Sequence, residues 1–225
     1  MLSVKRREIK FFMTKQDSVT LQNRMSKLLT PDGFARKGYY RVRSLYYDSL
    51  ENIDFYEKLL GDEKRKKIRL RVYGKDPDTI KLELKDKDGV YQNKLSLLLS
   101  REEADRFLRL DYCFLLERRE ESARLIYIVV TQGAYRPAVI VEYYRRAFVY
   151  PDFNTRITFD ENIRACNGYQ DFFAKELPFV PSYKDGVILE VKYNNILADS
   201  IKCILEEYSP FAVSASKYEM ARGGV

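Results

Sequence analysis

Histidine is missing altogether from the 225 residues, and so is tryptophan. Without an imidazole there is no Ser-His-Asp or Cys-His nucleophile system and no histidine-bound metal. Any bound metal must use oxygen ligands, which points to Mg²⁺ or Mn²⁺. Cysteine is scarce. Cys113, Cys166 and Cys203 lie far apart with no C-x-x-C pair. They supply neither a zinc site nor a disulfide framework and fit a reducing compartment. No G-x-x-x-x-G-K-[ST] occurs and no kinase-type glycine loop, so a nucleotide would be held by side-chain charge and not by a backbone nest. Long apolar runs are also lacking. The stretch Leu95–Ser100 is too short to cross a bilayer, and no apolar signal core follows Lys5, Arg6 and Arg7. A cytoplasmic location without a membrane span is the expectation.

What is abundant is charge, in a regular pattern. There are 40 Lys and Arg against 33 Asp and Glu, a net charge of +7, while apolar residues at 45% are enough for a real core. A basic balance favours anionic partners. Charge alone would admit nucleic acid, but the sequence shows no continuous basic patch interleaved with exposed aromatics, so nucleic acid is not expected as a partner.

The pattern is clearest at Ile80-Lys81-Leu82-Glu83-Leu84-Lys85. Strict alternation predicts a strand with one apolar and one charged face. It recurs at Glu8 and Lys10, at Arg69 and Arg71, at Arg156, Thr158 and Asp160, and at Glu190 and Lys192. Eight or so strands are expected, with Ile68–Tyr73, Thr79–Lys85 and Val90–Leu99 as an antiparallel meander. Asp62–Lys67, with its basic run Lys64–Lys67, reads as a solvated loop leading into it. Helices are expected after Thr14, with Asp17 marking the cap, after Ser100, where Glu103 completes a capping box, and from Asn194 to about Tyr208. Residues 111–130 look helical, with Ile126–Thr131 as a strand alternative. No linker or repeat interrupts the chain, so 1–225 reads as one α+β domain. The helices have apolar stripes that need a surface to cover. They could pack on the apolar side of a sheet that closes on itself, leaving the charged side within. Lys10, Arg69, Arg71, Lys81, Lys85, Arg145, Arg156 and Lys192 would then converge with Glu8, Glu83 and Glu190. Such crowding is tolerable only around a polyanion or in a wet channel.

In chain order the motifs Arg6-x-Glu8-x-Lys10-Phe11, Leu45-Tyr46-Tyr47-Asp48-Ser49, Lys67-Ile68-Arg69-Leu70-Arg71-Val72-Tyr73, Lys81-x-Glu83-x-Lys85, Tyr143-x-Arg145-x-Ala147-Phe148, Arg156-Ile157-Thr158-Phe159-Asp160, Leu189-Glu190-Val191-Lys192-Tyr193 and Ser216-Lys217-Tyr218 resemble the polyphosphate polymerase domain of the vacuolar transporter chaperone (VTC) complex. The likeness is closer to its free-standing prokaryotic relatives, within the triphosphate tunnel metalloenzymes (CYTH-like superfamily). The resemblance implies a closed eight-stranded antiparallel β-barrel, a triphosphate tunnel with a charged interior and helices packed outside. It implies transfer of the ATP γ-phosphate onto a growing inorganic polyphosphate chain, with Mn²⁺ or Mg²⁺ as cofactor. By motif position Arg69, Arg71, Lys81, Arg145 and Arg156 would act on the transferred phosphate. Lys10, Lys85, Lys94, Lys192 and Lys217 would bind neighbouring phosphates, and Glu190 would hold the metal with Glu8 and Glu83. Arg6 stands where the wider superfamily has the first Glu of Glu-x-Glu-x-Lys, and Ser214 where yeast-type domains carry a further Lys. A tunnel triphosphatase and a non-catalytic polyphosphate-binding module are the alternatives. No phosphate-sensing SPX module is seen, so coupling of synthesis to translocation is not expected.

Overall fold

The structure is a computed structural model that describes residues 6–35, 38–74, 79–89, 91–150, 154–167, 169–208 and 212–223. The order of elements is β1 (Arg6–Thr14), α1 (Lys15–Met25), β2 (Thr30–Pro31), β3 (Tyr40–Asp48), α2 (Ile53–Leu60), β4 (Lys64–Tyr73), β5 (Ile80–Asp88), β6 (Tyr91–Leu99), α3 (Arg101–Leu108), α4 (Phe114–Glu117), α5 (Glu121–Gln132), β7 (Arg136–Tyr150), β8 (Thr155–Cys166), β9 (Val180–Asn194), α6 (Asp199–Glu206) and α7 (Lys217–Arg222). Antiparallel strands and helices together make an α+β fold, as the alternation predicts. In the sequence Gly74–Asp78 reads as a tight connection, Pro151–Asp152 as a turn and Pro210 as a helix stop; residues 75–78, 151–153 and 209–211 lie outside the described residues.

The closed eight-stranded barrel is not what forms. Nine strands make one sheet in the order β1-β9-β8-β7-β3-β4-β5-β6, with β2 paired to β7. Among the described residues no pairing joins β6 back to β1. A physical reason lies at β1. At Lys10 and Phe11 its outer edge is taken by a later segment, through a bridge between Phe11 and Ala212 and a bond from Val213 N–H to the Lys10 carbonyl, 2.9 Å. A backbone edge satisfied in this way has no groups left there for another strand.

The chain groups into two compact units. One comprises Met1–Arg41, Tyr143–Ile163 and Tyr183–Ser216; the other comprises Val42–Glu142, Arg164–Ser182 and Lys217–Val225. In the first unit α1 is capped by Thr14, whose Oγ1 accepts the Asp17 N–H at 3.1 Å. It buries Leu21 and Met25, and α6 buries Ile201 and Leu205, in one cluster with Phe11, Met13, Ile157, Phe159, Leu189 and Val191. In the second unit α3 opens with a complete capping box between Ser100 and Glu103. Phe107 of α3 and Ala123, Ile126 and Val130 of α5 bury against Ile68, Leu70, Ile80, Leu82, Leu84 and Leu97. Each fully buried Leu or Ile contributes roughly 1.5–3 kcal/mol relative to exposure. In both units, therefore, helices cover the apolar strand face and the charged face lies opposite.

Three local expectations change. Residues 121–132 are helix, so of the two readings open at Ile126–Thr131 the strand falls away, because Ala123, Ile126 and Val130 recur at helical spacing against the core. Lys64–Lys67 is the first part of β4 and not a loop, with Lys64 and Lys66 exposed and Arg65 and Lys67 half-buried. The last long helix starts at Asp199 and not Asn194, after Asn195 takes a left-handed φ of 54°. α7 lacks a strong periodic signal and was not anticipated.

Candidate functional site

The charged face of the second unit is built by register. Ser44, Arg71 and Lys81 lie side by side on β3, β4 and β5; Tyr46, Arg69, Glu83 and Ser96 form the next row across to β6; Lys67, Lys85 and Lys94 form the third. Directly opposed residues share a face. These rows therefore hold six cations, namely Lys67, Arg69, Arg71, Lys81, Lys85 and Lys94, and one carboxylate, Glu83. Across the hairpin the register sets Lys81 opposite Arg71 and Glu83 opposite Arg69, while Lys85 lies opposite Lys67.

Glu83 is the hub. It is 1% exposed. Arg69 Nε donates to its Oε2 at 2.7 Å, Arg71 approaches to 3.9 Å, and Lys94 bonds the other oxygen. Burial works to raise its pKa; Arg69, Arg71 and Lys94 outweigh that and hold the carboxyl well below its ordinary range. Arg71 Nε donates to Ser44 Oγ at 3.0 Å, and Lys81 Nζ lies 5.6 Å from the Tyr73 ring centre. Lys85 sits half-buried between Lys67 and Lys94, and Lys217, also half-buried, opens α7.

Tyr46 is the residue the sequence reading missed. It is buried, and Arg69 Nη1 donates to its Oη at 3.3 Å. Its ring stacks on Tyr218 with centroids 5.1 Å apart, and Lys67 Nζ lies 6.0 Å from the Tyr46 ring centre. Burial alone would raise the phenol; Arg69, Arg71 and Lys67 outweigh it and bring the pKa down to about 7. The signal that could have found it is its alternation with Ser44 and Asp48 on β3, hidden because Tyr46 and Tyr47 look alike and face opposite ways.

In the first unit the register sets Glu8 opposite Lys192 and Lys10 opposite Glu190. Lys10 Nζ contacts Glu8 at 2.9 Å and donates to the Ala215 carbonyl at 2.9 Å; Lys192 bonds Glu190 and lies 3.8 Å from Glu8. Burial and Glu190 push the Glu8 pKa up, and Lys10 and Lys192 bring it below its usual value. Burial lowers that of Lys192 even with Glu190 and Glu8 beside it. Arg145 makes a buried two-pronged pair with Asp160, at 2.6 and 2.7 Å. Desolvation lowers the Arg145 pKa, and Asp160 more than restores it. Arg156 donates to Asp32 at 2.6 Å and to Tyr40 Oη at 3.1 Å. Between Arg156 and Asp160 on the same face of β8, the Thr158 hydroxyl is buried without a hydrogen-bond partner among the described residues. A buried orphan of this kind is costly and calls for an unseen partner.

Glu8 and Glu190 fit a hard divalent cation. They are two nearby carboxylates, and Mg²⁺ or Mn²⁺ uses one or two such groups and fills its other positions with water and phosphate oxygens. Among the described residues no group of three acids or cysteines forms a cage. The Glu83 carboxylate already faces three cations.

The VTC domain family profile matches residues 5–223. Among solved structures, a provisionally assigned adenylate cyclase of Bacillus halodurans aligns over 94% of this chain and 95% of its own with a TM-score of 0.52 and 12% identity. A provisionally assigned adenylate cyclase of Vibrio parahaemolyticus aligns over 97% and 98%, with 0.52 and 11%. The Schizosaccharomyces pombe Mediator head module aligns over 92% and 96%, with 0.51 and 11%. At these identities the likeness is one of fold. No curated protein matches the chain in sequence.

Proposed function

The chain belongs to the VTC domain family, and from that premise we propose that it is a polyphosphate polymerase, transferring the ATP γ-phosphate to the end of an inorganic polyphosphate chain. One observation carries the reading. Three rows across β4, β5 and β6 hold six cations and a single carboxylate; Arg71 and Glu83 are buried, Lys67, Arg69, Lys81 and Lys85 half-buried, and Lys94 exposed. Such an excess of positive over negative side chains suits a polyanion. An oxygen of the acceptor's terminal phosphate attacks the γ-phosphorus. The bond from that phosphorus to the bridging oxygen breaks, and ADP leaves. The nucleophile is already an anion, so no histidine is needed; the task is placement and neutralisation of charge.

Arg69, Arg71 and Lys81 are proposed to grip the transferred phosphate, with Lys85, Lys94 and Lys217 on neighbouring ones. Arg145 and Arg156, backed by Asp160 and Asp32, and Lys10 and Lys192 are proposed as the phosphate ligands of the first unit. Mg²⁺ or Mn²⁺ held by Glu190 and Glu8 would neutralise donor-phosphate charge. Glu83 is proposed as counter-ion to its three cations. The family match runs over both units, which supports reading 1–225 as one domain. A site in the cytoplasm would supply ATP and suits the free cysteines.

The test is incubation of the purified chain with ATP and Mn²⁺. A chain-length ladder with matching ADP is expected. Free phosphate without polymer would make it a triphosphatase. Salt-sensitive polyphosphate binding without turnover in any divalent metal would make it a binding module.

A further inference from the structure

At the end of β3, where Asp48 continues the face of Ser44 and Tyr46, the second unit holds a cavity of about 320 Å³ whose wall includes Asp48, Ser49, Asn52, Arg136, Tyr169 and Arg222. That volume is of the order of small-ligand sites, which begin at about 300 Å³. Two arginines line it, exposed Arg136 and half-buried Arg222, and each bonds the turn that holds Leu50 and Asn52. Arg136 Nη2 donates to the Leu50 carbonyl at 3.1 Å, and Arg222 Nη2 to Asn52 Oδ1 at 3.0 Å. Asn52 itself sits in the left-handed region, with φ at 58°, and the side chain it presents there anchors Arg222. Arg222 also lies over the Phe55 ring, 5.4 Å from its centre, which restricts its movement.

Neither arginine makes an ion pair among the described residues; their oxygen partners are neutral. The carboxylate in the wall, Asp48, is engaged elsewhere. It accepts the N–H groups of Ser49, Asp54 and Phe55 and the Tyr218 hydroxyl. The cavity therefore sets two guanidiniums, each with donors to spare, against one carboxylate whose acceptors are in use. An arginine fork matches the oxygens of a phosphate.

We propose that this cavity is a second oxyanion site, taking inorganic phosphate or the end of a short inorganic phosphate chain. It is independent of which reaction the charged face of β4–β6 performs. The experiment is equilibrium dialysis of the full chain against labelled tripolyphosphate at low salt. Two ions per chain are expected. One should be lost in Arg69→Gln/Arg71→Gln and the other in Arg136→Gln/Arg222→Gln. Ala138→Glu, which keeps both arginines and their bonds, should also lose the second ion, and it decides the matter if the double variant does not fold. Two ions retained by folded Arg136→Gln/Arg222→Gln or by Ala138→Glu would overturn the site. So would a wild type that binds a single ion, lost with Arg69→Gln/Arg71→Gln. Polymer formation is scored separately, so loss of this site and loss of the polymerase reading are distinguishable.

Discussion

Glu83 illustrates how one side chain can set the charge balance of a face. With Arg69, Arg71 and Lys94 around it, Glu83→Gln leaves three cations facing one another. A folded protein is expected, less stable by about 1–3 kcal/mol in urea titration. Added tripolyphosphate should raise the Tm of the variant more than that of the wild type, because the ligand replaces the lost charge. Equal shifts would remove Glu83 as the internal counter-ion. Arg69→Ala should also cost stability, since it strips a buried carboxylate of a partner; crowded positive charge alone would have suggested otherwise. Tyr46 gives a spectroscopic handle. Its folded pKa is about 7, below the ordinary 10.0. A depressed pKa adds stability that is full above about pH 10 and is lost as pH falls through about 7. One tyrosine should show tyrosinate absorbance near 295 nm with a midpoint close to pH 7, and Tyr46→Phe should abolish that step.

At the scale of elements, the helix starts with a side-chain cap were the most legible features, because a cap is a local bond between residues three apart, whereas the uncapped start at Asp199 was misplaced. Thr14 with Asp17 and Ser100 with Glu103 both form as their spacing predicts. Ser100→Ala should destabilise by about 1 kcal/mol in chemical denaturation. The ambiguous stretch Ile126–Thr131 was not legible. A β-branched run satisfies either period, and only burial of Ala123, Ile126 and Val130 decided for helix. The first turn of α2 adds a pH term. Asp54 is buried, accepts the Tyr135 hydroxyl at 2.8 Å, and leaves Oδ2 without a hydrogen-bond partner among the described residues. Burial, which outweighs that bond, raises its pKa to about 7, and Asp48 and Glu57 push the same way. A raised carboxyl pKa means stability present below the unfolded value near 3.8 and lost as pH rises through about 7. Asp54→Asn should flatten that part of the stability-versus-pH curve; an unchanged slope would show that another group sets it.

For the whole molecule the prediction concerns metal. EDTA should stop synthesis from ATP while tripolyphosphate binding persists, and Glu190→Gln should weaken the Mn²⁺ dependence; an unchanged metal titration would remove Glu190 as a ligand. By itself the sequence determined the alternation of apolar and charged positions, since side-chain direction along a strand is covalent geometry. It also determined the exclusion of imidazole chemistry and the strand identities of the charged motifs. Register and closure were decided only in the tertiary structure. That Arg69 meets Glu83 and Tyr46, that Arg145 pairs with Asp160 and Arg156 with Asp32, depends on which strands align and in what phase. That phase is set by buried side chains far apart in the chain. The expected closed barrel gave way to an open strand order for the same reason. Whether the edge of β1 pairs with β6 or with residues 212–213 is a competition between distant backbone segments, and no local pattern of residues encodes its outcome.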